Sequence, residues 1–225
     1  MKRLLIFLFS FGLAVVFSGC TVSKSFSPLA HEYLVSSLGF DQSNEEKTVI
    51  MEAVVINSED AEEEKKKELL IGSGKTLDEA LKSATQKAVQ PVELSHCAVA
   101  VIGESVSEKY FDEILKYVYN EKAITIALGF VSTHNAEELL SCETVSSVAV
   151  GYDIVSMQQT YSRKNSTSFK NRFYEIEASR AAKENSFSLP FFKVDMAKYE
   201  IDGKKEFKNG PPKTIKKGMV EVVSK

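Results

Sequence analysis

Leu69-Leu70-Ile71-Gly72-Ser73-Gly74-Lys75-Thr76-Leu77-Asp78-Glu79-Ala80-Leu81 changes its backbone periodicity midway. Leu69–Ile71 reads as a short strand. Thr76 is a helix N-cap, and Glu79, three residues on, completes a capping box in which each side chain satisfies a backbone amide of the other residue. Leu77, Ala80, Leu81, Ala84 and Ala88 then recur at helical spacing as one apolar stripe, and Pro91 stops the helix. A strand feeding a capped amphipathic helix is the building unit of a sheet with helices packed on it.

The same stretch carries a chemical temptation. Gly72-Ser73-Gly74-Lys75-Thr76 lies between strand and helix, as a phosphate-binding loop does. In such a loop, glycines let backbone N–H groups approach phosphate oxygens while Lys and Thr meet phosphate and Mg²⁺. The motif requires a glycine five residues before Gly74, and that position is Leu69. The stretch therefore reads as a Gly-rich turn entering a capped helix.

Working outward, the pattern repeats downstream. Ala98–Ile102 is an unbroken apolar strand ending at Gly103. Ser105 and Glu108 form a second capping box ahead of Phe111, Ile114, Leu115 and Val118. Ala123–Val131 is the next strand, and Asn135 with Glu138 starts a short third helix carrying Leu139 and Leu140. Upstream, Glu32–Phe40 and Thr48–Ile56 are β-rich. The second has apolar residues on both of its faces, which predicts an inner strand covered on both sides. The charge run Glu59–Lys67 reads as a solvated loop or helical turn, with Glu62–Lys66 and Glu63–Lys67 paired at i,i+4. After Glu143, helices are expected over Val145–Tyr161 and Phe169–Lys183, and strands over Phe187–Val194, Tyr199–Phe207 and Met219–Val223. Asp202-Gly203 is a hairpin turn, and Gly210-Pro211-Pro212 a loop. The expected fold class is α/β (mixed α+β), a mixed sheet with helices packed on it.

Candidate chemistry is sparse. His31, His96 and His134 are far apart, and none has a ligand neighbour at i+3 or i+4, so no metal site is expected. His96-Cys97 suggests thiol chemistry, but adjacent strand residues point to opposite faces, which places His96 as a structural histidine. No Gly-x-Ser-x-Gly elbow occurs. Asp112-Glu113 and Glu137-Glu138 fit helix faces and helix starts. Phe169, Phe173 and Tyr174 fit a core face. Phe187, Phe191 and Phe192 around Pro190 would either cover a sheet edge or present a partner surface. Cys97 and Cys142 are either a disulfide formed outside the cell or two buried thiols. No catalytic, cofactor-binding or metal-binding residue and no cofactor is expected.

The leader locates the chain. Lys2 and Arg3 precede an apolar run, Leu4–Phe17, that ends in Phe17-Ser18-Gly19-Cys20. This is the layout of an export signal, with small residues before the cut. It also resembles a bacterial lipobox, with Phe17 where Leu is usual, so Cys20 is the expected lipidation site. A diacylglyceryl group brings two chains, enough for stable anchoring where one chain is marginal. Lys and Arg number 28 against 31 Asp and Glu, a formal net charge of −3. That mild acidity gives no footprint for nucleic acid.

The order of these features resembles the N-terminal domain of the Ger(x)C family, the lipoprotein C subunits of spore germinant receptors. The residues that carry the likeness are the lipobox, Leu38-Gly39-Phe40-Asp41, Ile56-Asn57, Gly72–Leu81, Ser95-His96 and Val99-Ala100-Val101-Ile102-Gly103-Glu104. Weaker echoes lie in Asn171-Arg172-Phe173-Tyr174 and Ser186–Phe192. The chain departs from the family pattern in having Thr21-Val22 in place of Trp-Asp after Cys20, Pro91-Val92-Glu93-Leu94 before the His, and Asn120-Glu121-Lys122 after the second helix. Family proteins continue into a further large domain, so a relative carrying the N-terminal domain alone is expected. Residues 1–19 are the expected signal peptide and 20–30 a lipidated tether. Residues 31–225 are the Ger(x)C N-terminal-like domain, with 143–225 the part whose elements are least sharply marked.

The resemblance implies a non-enzymatic component of a nutrient-sensing receptor complex, with membrane lipid (through Cys20) and membrane-spanning receptor subunits as partners. It also implies a place on the extracytoplasmic membrane face, the spore inner membrane in a sporulating organism. Two rival readings make different demands. A solitary ligand-binding or envelope-assembly lipoprotein requires a concave pocket with convergent polar groups. An envelope enzyme requires clustered titratable residues in a cleft, with His96 or Cys97 among them.

Overall fold

Two strands open the fold as a hairpin. In the computed structural model, β1 (Tyr33–Ser43) and β2 (Glu46–Ile56) pair antiparallel and turn at Asn44, whose φ of 53° is a conformation asparagine tolerates better than most residues. The structure describes residues 32–56, 65–144, 147–166, 168–182, 189–196 and 213–216, all in one unit, His31–Lys225. The leader, Cys20 and the tether lie outside the described residues. So do residues 59–64 of the charge run, the expected hairpin at Tyr199–Phe207, Gly210-Pro211-Pro212 and the expected strand at Met219–Val223.

β3 (Lys65–Gly74) pairs antiparallel with the whole of β2, from Lys47 opposite Gly74 to Ile56 opposite Lys65. It is much longer than the short strand the Leu69–Ile71 run predicts. The end of the charge run is therefore strand and not loop, because the ladder along β2 outweighs the weak β-propensity of lysine, a residue that suits an edge strand. Then follow α1 (Leu77–Thr85), the two-residue β4 (Val92–Glu93), β5 (Val99–Gly103), α2 (Glu108–Asn120), β6 (Gly129–Thr133), α3 (Ala136–Leu140), α4 (Val150–Asn165), α5 (Phe173–Ala181), β7 (Phe191–Met196) and β8 (Lys213–Lys216). The sheet order is β3-β2-β1-β5-β6-β7-β8, with β4 beside the start of β1. β1, β5, β6 and β7 are mutually parallel, and the remaining neighbours on that path are antiparallel, so the sheet is mixed as expected.

Both faces of the sheet are covered. One face packs Leu38, Phe40, Val49, Met51, Ala100, Ile102 and Phe130 against Ala80 and Ala84 of α1, Ile114, Leu115 and Val118 of α2, and Phe173 and Ile176 of α5. The other packs Ile50, Val99, Val101 and Val131 against Leu139 and Leu140 of α3 and Val150 and Ile154 of α4. Alternate residues of one strand thus serve opposite cores, which is why 99–102 reads as unbroken apolar sequence. Each fully buried large side chain contributes about 1.5–3 kcal/mol.

The helix starts show where local reading works. Thr76 and Glu79 form the expected capping box of α1. Asn135 caps α3, its side chain accepting from Glu138 N at 2.6 Å. The second box is shifted: Ser107, not Ser105, caps α2 and accepts from Tyr110 N. Ser105 Oγ instead accepts from Gln42 N at 2.9 Å, and Gln42 Oε1 accepts from Ser107 N, so a staple to β1 delays the helix. β6 begins later than expected because 123–128 is taken up by turns, one closed by Leu128 N donating to Thr125 O. The helices expected at Val145 and Phe169 also begin later, at Val150 and Phe173, and β7 begins at Phe191. Phe191 and Phe192 are buried as part of β7 itself, the first against His134, so they neither cover a sheet edge nor form a partner surface, and Phe187 lies outside the described residues.

Gly72 and Gly74 are not in a turn. Both lie in β3, where α1 crosses at its closest, and a Cβ at Gly72 would collide with the backbone of Ala80 and Ala84. The glycines admit a helix, not a phosphate.

Candidate functional site

The most concentrated polar constellation sits inside the sheet, around Glu52. Pairing between β1 and β2 slips at a β-bulge between Val35 and Ser37, so Ser36 is an extra residue. A bulge turns consecutive side chains toward one partner position. Ser36 Oγ and Ser37 Oγ each donate to Glu52 Oε2 at 2.8 Å. Glu52 has no exposed surface. Its carboxylate also accepts from the first amides of α4, Val150 N on Oε1 at 2.6 Å and Gly151 N on Oε2 at 2.9 Å. The N-cap position, Ala149, offers no side-chain acceptor, so Glu52 caps the helix from across the sheet. Gly151 allows the approach, since a Cβ there would press on Ser37.

Asp41 repeats the device at the end of β1. Both its carboxylate oxygens accept from Ala136 N, at 3.1 and 3.0 Å, and Oδ2 accepts from Glu137 N at 3.1 Å. Burial raises the Asp41 pKa above the ordinary carboxyl value, and those two amides pull partly the other way. Lys67 closes the far end of α3: its ammonium donates to Leu140 O at 3.0 Å and to Cys142 O, and lies 4.0 Å from Glu52 Oε1. Asp41, Glu52 and Lys67 thus lock α3 and α4 onto one face. Shielded from solvent, Glu52 holds helices in place and offers nothing to a substrate.

The residues singled out by sequence are not brought together. His96 is exposed in a turn, whereas Cys97 is buried and its thiol is pushed up to about 12 by burial. Cys97 and Cys142 are both buried, and they belong to the cores on opposite faces of the sheet, which rules out the expected alternative of a disulfide between them in this fold. His134 Nδ1 meets Glu104 Oε2 at 2.7 Å on the surface. Phe173 is core, but Tyr174 beside it is exposed. Among the described residues, no group of three or more His, Cys, Asp and Glu is placed to hold a metal ion, and no helix is long and apolar enough to cross a membrane.

Among the described residues, two depressions stand out. One, of about 700 Å³, opens beside Lys67, Ser141 and Cys142. The other, of about 510 Å³, lies between α4 and the start of α5, lined by residues that include Gln158, Arg163, Phe169, Arg172 and Tyr174. The buried Nε2 of Gln158 has no hydrogen-bond partner among the described residues.

Comparison with known proteins gives one finding. A family model described as the spore germination protein N-terminal domain matches residues 27–194. No curated protein and no solved structure matches the chain.

Proposed function

The chain belongs to the spore germination protein N-terminal domain family, and from that membership we propose that it acts as a lipid-anchored, non-enzymatic component of a nutrient-sensing germination receptor complex, in the manner of the receptor C subunit. The family match over residues 27–194 carries this reading. The use of ionisable residues supports it: buried Glu52 and Asp41 bind helices to the sheet, and the thiol beside His96 stays protonated. Cys20 is the proposed attachment point, with a diacylglyceryl group holding the domain on the extracytoplasmic face of the membrane. Membrane-spanning receptor subunits are the proposed protein partners.

Two experiments test the two halves. Cells fed labelled palmitate should label the wild-type chain and not Cys20→Ala; equal labelling overturns the anchor. Pull-down of the native protein from sporulating cells should recover membrane-spanning receptor subunits. Their repeated absence overturns the receptor role.

A further inference from the structure

The large hydrophobic side chains exposed among the described residues gather at one end of the sheet. They are Val89 (82 % exposed), Tyr119 (74 %), Ile126 (66 %) and Tyr174 (51 %). β1, β5 and β6 run parallel, with Ser37 opposite Val99 and Val99 opposite Gly129, so their starts share one edge. Val89 precedes Pro91, whose carbonyl accepts from Tyr33 N at the start of β1. Ile126 precedes the start of β6, and its carbonyl accepts from Tyr174 N. Tyr119 is in the last turn of α2, which runs back from the end of β5 toward the start of β6. Arg180 of α5 pairs with Asp112 of α2 at 2.9 Å. Tyr119 lies two turns beyond Asp112, on the side of α2 that faces α5. α5 runs antiparallel to α2, which brings Tyr174, at the start of α5, toward Tyr119.

Charge divides along the same axis. Lys87, Lys122, Lys170 and Arg172 stand among these apolar residues, the three lysines exposed. Of the acidic residues of that end, Glu32, Glu93, Glu121 and Glu175 are half-buried, and the exposed Glu68 accepts from Tyr33 Oη. The opposite end, where β5 and β6 finish and α2 and α3 begin, exposes Glu45, Glu46, Glu104, Glu108, Glu137 and Glu138 against Lys75 and Lys109. The polypeptide that carries Cys20 enters the sheet at the basic, apolar end, at Tyr33. Its tether, residues 20–30, extends no further than roughly 40 Å.

We propose that this end, carrying Val89, Tyr119, Ile126 and Tyr174, lies against an anionic lipid surface, which fixes the orientation of the domain on its membrane. Tyrosine has an apolar ring and a polar tip and favours the headgroup level, and lysines beside it meet anionic headgroups. The acidic end then faces away from the bilayer. The proposal rests on the lipid-anchor reading and adds the face that the anchor presents.

The chain contains no tryptophan, so a single one reports on its own surroundings. The full chain, purified with its attached lipid, is placed in vesicles of phosphatidylglycerol and phosphatidylcholine with brominated acyl chains. Tyr119→Trp, Ile126→Trp and Tyr174→Trp should fluoresce to the blue and be quenched several-fold more than Glu108→Trp at the acidic end. Combining Lys87→Glu, Lys122→Glu and Lys170→Glu should reduce that quenching while the chain still floats with the vesicles. Flotation with equal quenching at all four positions overturns the orientation alone, and points to a protein as the occupant of this surface. A wild-type chain that does not float overturns the anchor and the orientation with it. Circular dichroism of each variant confirms that these surface substitutions leave the fold intact.

Discussion

Glu52 gathers two serine hydroxyls and two helix amides onto one carboxylate, at a site with no exposed surface. Removing it strands three donors, since Ser36 Oγ also donates to the backbone carbonyl of Glu52 at 3.0 Å. Glu52→Ala should cost at least about 3 kcal/mol, since each buried unsatisfied group costs about 1–3 kcal/mol. Glu52→Gln keeps one acceptor oxygen and should lose less. Urea titration of both variants checks the order, and equal losses would contradict it. Asp41 gives a pH signature. Its raised folded-state pKa means that the folded chain holds the proton more tightly than the unfolded one. Its contribution to stability therefore falls as pH rises from about 4, the ordinary carboxyl value, through the raised value, and then levels. Asp41→Asn cannot ionise, so its stability relative to wild type should improve across that window. Denaturation midpoints measured from pH 4 to 7 read this directly, and a difference that does not change with pH would refute it. Neither carboxylate was legible in the sequence as a helix cap, because its helix amides lie 95 to 99 residues away and cap patterns are read over three or four.

At the scale of elements, what was legible is what is local. The Thr76–Glu79 and Asn135–Glu138 pairs announce their helices because each cap is complete within one turn. Ser105 and Ser107 show the limit: both can cap, and the choice is made by Gln42 on a distant strand. Gly72 shows another. Its strand placement follows from pairing with Val49, and its need to be glycine follows from the crossing of α1. Gly72→Ala forces helix and strand apart and should cost about 3 kcal/mol, the upper part of the range for overpacking. Thr76→Ala, which removes only the cap, should cost about 1 kcal/mol. Thermal melting of the pair should place Gly72→Ala well below Thr76→Ala, and the reverse order would mean that the turn reading was right.

The whole molecule is a sheet shared by two cores, and this governs how it comes apart. Cys97 lies in one core and Cys142 in the other. Because β2, β5 and β6 contribute to both cores, the two should be lost in one transition. Both thiols should be silent to a thiol reagent in the native state at neutral pH and become reactive at the same urea concentration. Earlier labelling of Cys142 would show that the face carrying α3 and α4 opens separately. Membership of the family was legible from the order of individually weak motifs, whereas the partition of the two cores was not, since alternation within 99–102 leaves open which helix covers which face. The Glu52 contact also bears on the order in which the fold can be completed. A chain is made from its N-terminus, and Glu52 precedes Val150 by 98 residues. Until the later segment arrives, Glu52 stays hydrated and the face beneath α4 stays open. Closure over that face belongs to a late folding step, so Glu52→Gln should speed unfolding more than it slows refolding.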